Sequence, residues 1–273
     1  MTGADATISG RTVLAIFAHP DDESLACGGT LARLADAGAH VVPICASSGR
    51  RGSISDPTLV PGDDLGRVRA NELQEAAKVL GIEETIVLDH PDGSLRWADV
   101  PEFHAEILAA LHTLKPDAVI TFAEDGLYWH FDHVAVHERT RTAVQSLGDE
   151  APALYYVTMP QGAMRGVVDT AIAKGGRHLN AGFWGIGPDA FGSAARRPSF
   201  TIDVRDWVPR KLAALLCHRT QMGPGNPLSW IDEDDARRLL GTEQFRRARP
   251  HTGPSVLEAL GEAAVRPHGR SRT

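Results

Sequence analysis

The stretch Val13-Leu14-Ala15-Ile16-Phe17-Ala18-His19-Pro20-Asp21-Asp22-Glu23 decides the fold. It opens with a continuous apolar run, the pattern of a strand covered on both faces. The run stops at His19-Pro20, where acidic residues crowd in. Ser24 to Ala37 then predicts a helix, with Gly38 as its C-terminal cap. Val41 to Ala46 predicts a second strand. The alternation continues outward: Leu65 to Leu80 a helix closed by Gly81, Glu84 to Leu88 a strand, Pro101 to Leu114 a helix with Pro at its start, Ala118 to Phe122 a strand, and Asp132 to Leu147 a helix capped by Asp132. Strands that alternate with helices imply parallel pairing through right-handed crossovers. The fold class is therefore α/β, a Rossmann-like, mostly parallel sheet flanked by helices.

The second half is less regular. Ala153 to Thr158 and Phe200 to Val204 predict strands, and Val208 to Gln221 a helix. Ser47 to Gly62, Glu124 to Phe131 and Pro188 to Pro198 read as loops. Nothing resembles a linker, so residues 1–273 are expected to form one α/β domain. Its core covers about 12–222, and a C-terminal elaboration with a mobile tail from Val265 covers 223–273.

Of the 273 residues, 42% are hydrophobic and 23% charged, which excludes a disordered or collagen-like chain. Aromatics make up 6% and the net charge is -7. Neither suits a nucleic-acid partner, because phosphate backbones call for basic faces. The three cysteines, Cys27, Cys45 and Cys217, are too far apart for a CxxC pair and too few for a disulfide framework. Cys27 falls in a helix and Cys45 at a strand end, as buried thiols do. The apolar run from Val13 to Ala18 is too short for a secretory segment or a membrane span. A cytoplasmic protein with no membrane span is expected.

Ligands of open α/β sheets bind outside the carboxyl ends of the strands. After the first strand comes His19-Pro20-Asp21-Asp22-Glu23, and after the fourth Asp125 to His133. A single His or Asp in a loop is ordinarily a polar loop residue or a cap. Two clusters, each following a buried strand, point to a metal. His and Asp are good zinc ligands, and a catalytic zinc keeps three protein ligands and one open position. His19, Asp22 and His133 can supply the three. Asp21 then lies beside the metal as a proton acceptor, and His130 is free to stabilise charge or protonate a leaving group.

At these residues the sequence resembles the PIG-L/LmbE-like zinc deacetylases, which remove N-acetyl groups from GlcNAc-type substrates. Ala18-His19-Pro20-Asp21-Asp22-Glu23 is similar to that family's first motif, and Tyr128-x-His130-x-Asp132-His133 to its second. Arg69-x-x-Glu72-Leu73, Pro91-Asp92-Gly93 and Lys211…His218-x-x-Gln221 extend the likeness across roughly residues 12 to 222. The resemblance makes His19, Asp22 and His133 the ligands of Zn2+, with Fe2+ or another divalent metal as a substitute. It makes Asp21 the general base and His130 the electrostatic or general-acid partner, oriented by Asp132. Tyr128 becomes the oxyanion donor, and Arg69 and Asp92 the contacts to the sugar. Trp129 and Phe131 flank His130 where family members of mycothiol biosynthesis often have Gly and Pro, which would make the pocket bulkier.

The implied reaction is hydrolysis of an N-acyl, foremost N-acetyl, group on an amino-sugar conjugate or glycoside. A mycothiol-conjugate-type amidase is the nearest alternative. A non-haem iron oxygenase could use two His and a carboxylate, but the alternating pattern is unlike the all-β barrels of those enzymes. A non-catalytic sugar-binding module with a structural metal would not need the spare carboxylate of Asp21. The other candidates are weaker. His90-Pro91-Asp92 lacks a second Asp, and His137 lies one helical turn beyond His133. Arg50-Arg51 reads as a solvated pair, and Gly28-Gly29 makes no dinucleotide fingerprint. Ser47 to Gly62, Trp184, Trp230 and the Gly223 to Pro227 stretch are expected to wall the outer pocket. A homo-oligomer is compatible with the sequence.

Overall fold

The computed structural model describes residues 7–60, 64–98, 100–176, 179, 182–193, 197–248 and 255–263. The strands are β1 (Thr12–Phe17), β2 (His40–Cys45), β3 (Ile86–Val87), β4 (Ala118–Phe122), β5 (Ala153–Thr158), β6 (Phe200–Asp203), β7 (Thr242–Arg247) and β8 (Glu262–Ala263). The helices of eight residues or more are α1 (Asp22–Asp36), α2 (Leu65–Leu80), α3 (Val100–Leu114), α4 (Phe131–Ser146), α5 (Arg165–Ala173), α6 (Val208–Cys217) and α7 (Glu233–Leu240), and a single kinked turn spans Gly126–Trp129. Among the described residues, all eight strands lie in one sheet, ordered β3-β2-β1-β4-β5-β7-β6-β8. The first five pair in parallel. β7, β6 and β8 add on in antiparallel fashion. The expected Rossmann-like sheet is present.

The chain runs from β1 outward to β2 and β3, then returns to place β4 on the other side of β1. That reversal between β1 and β4 is the topological switch point at which such sheets bind ligands. β1 and β4 are buried from Val13 to Phe17 and from Ala118 to Phe122, which explains their unbroken apolar runs. The main core packs on the sheet. A second buried cluster, including Leu25, Val167, Phe183, Phe191, Leu215 and Leu228, ties α5 and α6 to the start of α1.

Helix ends follow local chemistry. Asp64 accepts from the Arg67 N–H at the start of α2, and Gly81 closes that helix at φ 80, a left-handed cap. Asp232 accepts from the Asp235 N–H ahead of α7. Three expectations need correction. α4 is capped by His130, whose ring accepts from the Asp132 N–H, because the Asp132 carboxylate is occupied elsewhere. The helix from Val208 stops at Cys217, since residues 218–222 turn back on themselves through the His218 carbonyl. β7 lies between β5 and β6, so the sheet does not end before residue 222. The loops expected at Ser47–Gly62 and Pro188–Pro198 contain short 3-10 turns at Pro57–Leu59 and Pro188–Ala190. Residues 61–62 and 194–196 of those loops, and the tail from Val265, lie outside the described residues. No helix among the described residues is long and apolar enough to cross a membrane.

Candidate active site

The loop after β1 and the loop after β4 meet over the switch point. The His19 ring faces three carboxylates. Its Nδ1 lies 3.4 Å from Asp22 Oδ2, and its Nε2 lies 3.1 Å from Asp92 Oδ1 and 3.2 Å from Asp132 Oδ2. Burial alone would lower the His19 pKa, but Asp132, Asp22 and Asp92 override it and raise the ring well above its ordinary value. Burial would likewise raise Asp22. The His19 ring and the His19 backbone N–H, both on Oδ2, reverse that and hold its carboxyl well below the usual range.

His133 is fully buried, and its ring stacks on Phe122. Its Nδ1 is 2.9 Å from the Gly126 carbonyl. A carbonyl only accepts, so Nδ1 carries the proton and Nε2 presents a lone pair. Burial drives this ring down to about 3, which keeps it neutral. Its Nε2 has no hydrogen-bond partner and lies 3.2 Å from Asp22 Oδ1. A lone pair facing a carboxylate oxygen in a buried site is unfavourable, and a cation bound by both atoms removes the conflict. Two groups of possible donors share His19: His19, His130 and His133, and His19, Asp92 and Asp132, each with ligand atoms within 4.8 Å of one another. Imidazole and carboxylate donors of this kind fit a divalent metal.

Asp21 stands beside this cluster and is bound differently. Its φ of 118° lies in the left-handed region, which a residue with a Cβ enters only when its surroundings impose it. Its Oδ2 accepts from Arg69 Nη2 at 3.0 Å, and its N–H donates to Glu23 Oε2 at 3.0 Å. Burial pushes its carboxyl up to about 6, with Arg69 opposing and Asp22 adding to the rise. Arg69 is itself buried and also donates to the Pro20 and Gly49 carbonyls. It braces the first loop as well as lining the cavity.

The loop carrying Tyr128 and His130 turns through Gly126, Leu127 and Trp129 at φ 53°, 66° and 63°. Leu127 is buried beneath it as an anchor. The Tyr128 ring lies 5.0 Å from His133, 5.8 Å from His130 and 4.7 Å from Phe191, centroid to centroid. Burial raises the Tyr128 phenol well above its ordinary pKa, so it remains a proton donor. His130 is lowered by burial and by the neighbouring His19.

The structure brings His19, Asp21, Asp22, Arg69, Asp92, Tyr128 and His130 to one cavity of about 260 Å³, with His133 behind Asp22. Three expected details differ. The Asp132 carboxylate accepts from the Gly93 and Leu95 N–H groups at 2.7 and 2.9 Å. What reaches His130 is the Asp132 backbone N–H, 3.2 Å from Nδ1. Asp92 spends one oxygen on His19 and the other on the Arg51 N–H, 2.5 Å away. Trp129 and Phe131 do not thicken the pocket. At 64% and 69% exposure they face solvent, because the left-handed turn at Trp129 carries its side chain outward.

On the outer wall, Trp184 lines the cavity together with Arg51, Gly52 and Ser53 of the Ser47–Gly62 loop. Trp230 and residues 223–227 are not among the lining residues, and the Trp230 indole donates to the Pro224 carbonyl. Leu25, Ile186, Gln221 and Met222 also line the cavity, though their sequence contexts carry no polar motif beyond the His218-x-x-Gln221 spacing. His137 hydrogen-bonds the Phe122 carbonyl, away from the cavity, and His90 pairs with Glu106.

A buried donor cluster at the switch point of a Rossmann-like sheet, with a spare carboxylate at its edge, defines a hydrolytic enzyme able to hold a divalent metal. Comparison with known proteins gives the same class. A family profile described as "GlcNAc-PI de-N-acetylase" matches residues 14–144. A 1D-myo-inositol 2-acetamido-2-deoxy-alpha-D-glucopyranoside deacetylase of Thermobispora bispora is 29% identical over 90% of this chain and 91% of its own. An enzyme of the same name from Kineococcus radiotolerans is 31% identical over 78% of this chain and 69% of its own. The N,N'-diacetylchitobiose deacetylase of Pyrococcus horikoshii superposes with a TM-score of 0.60 at 23% identity, covering 87% of this chain and 84% of that one, which is likeness of fold. The chain belongs to the PIG-L family of de-N-acetylases.

Proposed function

We propose that the protein is a zinc-dependent N-deacetylase that hydrolyses the acetamide of an N-acetylglucosaminide, with His19, Asp22 and His133 as its metal ligands. The observation that carries this reading is the unpaired His133 Nε2 facing Asp22 Oδ1 at 3.2 Å, with the separately held carboxylate of Asp21 beside it. A divalent ion held there supplies Lewis acidity, polarising the amide carbonyl and lowering the pKa of an adjacent water to about 7.

The chain's own groups do the rest. Asp21, raised to about 6 by burial, accepts the proton of the attacking water. The Tyr128 hydroxyl donates to the oxygen that gains charge as the carbonyl becomes tetrahedral. The departing amine takes the proton that Asp21 accepted from water, His130 stabilises developing charge as a neutral N–H donor, and acetate is the acid product. Arg51, Arg69 and Asp92 line the cavity with polar groups that sugar hydroxyls can meet, Asp92 through the lone pairs not used by His19 and the Arg51 N–H. Leu25, Trp184, Ile186 and Met222 add apolar lining to the same cavity. The apolar lining favours a substituted glucosaminide over the free sugar, and it also suits a conjugate amidase. Cys27, Cys45 and Cys217 are free thiols, in keeping with a reducing, cytoplasmic setting.

Two measurements test the reading. Wild-type protein should release a free primary amine and acetate from an N-acetylglucosaminide, and should hold one divalent metal per chain. His133→Ala should lose most of both. Full metal retention by His133→Ala after dialysis against chelator would remove it from the ligand set.

A further inference from the structure

Glu23 and His218 are buried titratable residues with no part in the chemistry above, yet they converge on Asp21. Glu23 Oε2 accepts the Asp21 N–H at 3.0 Å. Its Oε1 accepts from Ser24 Oγ at 2.6 Å and from His218 Nε2 at 3.2 Å. His218 comes from 195 residues further along the chain and is fully buried. Its Nδ1 has no hydrogen-bond partner among the described residues, so the Glu23 carboxylate is the polar contact of this ring. A buried imidazole with one polar contact is costly to keep, and that contact leads through Glu23 to the backbone of Asp21.

His218 is also held from behind. Thr220, two residues on, donates its N–H and hydroxyl to Glu72 on α2 at 2.9 and 2.7 Å, and the Ser55 N–H donates to the Thr220 carbonyl at 2.8 Å. The His218 position is therefore set by α2 and the Ser47–Gly62 loop, independently of Glu23. α2 also carries Arg69, three residues before Glu72, which grips Asp21 Oδ2. Asp21 is thus fixed at its carboxylate by Arg69 and at its backbone by Glu23. Without the second hold, a residue at φ 118° would relax toward an ordinary conformation and swing its carboxylate.

We propose that Glu23 and His218 form a positioning pair, in which His218 locks the Glu23 carboxylate onto the Asp21 N–H and so keeps the Asp21 side chain aimed at the reacting water. The pair touches neither substrate nor metal. The proposal rests on the role of Asp21 in the proposed function. A misplacement of about 1 Å in a reacting group can cost on the order of 10²-fold, so the loss should appear in kcat.

The test is a double-mutant cycle of His218→Ala with Asp21→Asn. kcat, KM, bound metal and melting temperature are read for each variant with an N-acetylglucosaminide. In the Asp21 background His218→Ala should lower kcat by about tenfold or more, with KM within about twofold and metal content unchanged. His218→Gln can still donate to Glu23 and should recover part of the loss. In the Asp21→Asn background His218→Ala should change kcat by less than about twofold, because the group it positions is gone. An unchanged kcat in His218→Ala, an equal drop in both backgrounds, or a drop that tracks metal loss would overturn the proposal. If His218→Ala does not fold, His218→Phe, which keeps a buried ring but cannot donate to Glu23, carries the same cycle with the same criterion of dependence on Asp21. Wild-type protein that releases no amine fails the functional reading itself. Active protein whose rate ignores His218 fails this inference alone.

Discussion

Asp21 and Asp22 are chemically identical neighbours set to different tasks by what surrounds them. Asp22 is held ionised by the His19 ring and backbone N–H, whereas burial raises Asp21 to about 6 against the opposing charges of Arg69, His218 and His19. Asp21→Asn keeps the shape and the Arg69 contact but cannot take a proton. It should retain metal and fold while losing roughly 10²- to 10⁴-fold in kcat, and a loss under about tenfold would end its role as base. The active form is the carboxylate, so activity falls as pH drops. A bound cation pulls the pKa of Asp21 down from about 6, and the acid limb of kcat/KM should therefore lie at or below that value. A limb above pH 7 would report a different group. Tyr128→Phe should cost about 10²- to 10³-fold in kcat with little change in KM; a change confined to KM would make Tyr128 a binding residue. His19, Asp22 and His133 were legible because His and Asp cluster directly after apolar runs. The carboxylate of Asp132 was not, because its partners are the backbone N–H groups of Gly93 and Leu95, and backbone donors leave no trace in side-chain spacing.

At the scale of elements, α1 carries the site and is broken within it. Cys27 leaves helical geometry at φ -151°, ψ 24°, which frees N–H groups just beyond the kink. Glu243 of β7 takes two of them, from Gly29 at 3.0 Å and Thr30 at 2.8 Å, and Lys211 of α6 donates to the same carboxylate at 2.6 Å. Gly29 is required there, since a Cβ would lie 2.6 Å from the Val204 side chain. Lys211 and Glu243 are both almost fully buried. Removing one charge leaves the other desolvated and unpaired, which costs about 3–5 kcal/mol. Lys211→Met should lower stability by that amount in urea titration, and a change below about 1 kcal/mol would mean the pair holds nothing. This junction also explains why β7 escaped the sequence reading. Thr242-Glu243-Gln244-Phe245 alternates correctly for a strand, but one of its inward positions is a carboxylate, and apolar periodicity does not register a buried acid. α5 and α7 were lost among the Gly- and Pro-rich segments around them, although Asp232 and Asp235 carried the capping signal of α7.

Across the whole molecule, the parallel half of the sheet supplies the chemistry and the C-terminal half supplies part of the wall around it. β5 pairs with β7, so the second half is joined to the first through the sheet itself, and we read the chain as one folding unit. The second half reaches the cavity through a tight turn in which Phe183 bridges Ile186 and Trp184 sits at φ 50° with Gly185 at φ 81°. Both central residues have positive φ, as in a type I′ turn. A bulky residue is an unfavourable choice at the first of them, and the Trp184 ring that sits there lines the cavity. The cavity of about 260 Å³ falls just below the usual range of ligand sites, which run from about 300 Å³ upward. A substituent on the sugar would therefore extend along the outer wall toward Trp184 and Ile186. Contacts that far from the amide supply binding energy usable at the reacting centre. Free N-acetylglucosamine should be a poor substrate, and a substituted glycoside better by at least about tenfold in kcat/KM, or about 1.4 kcal/mol of transition-state binding. Trp184→Ala should erase most of that difference by slowing the glycoside while leaving the free sugar nearly unchanged. Equal kcat/KM for the free sugar and a range of glycosides would show that the outer wall contributes nothing. A Trp184→Ala variant that slowed both substrates alike would place the ring's effect on the metal-side geometry.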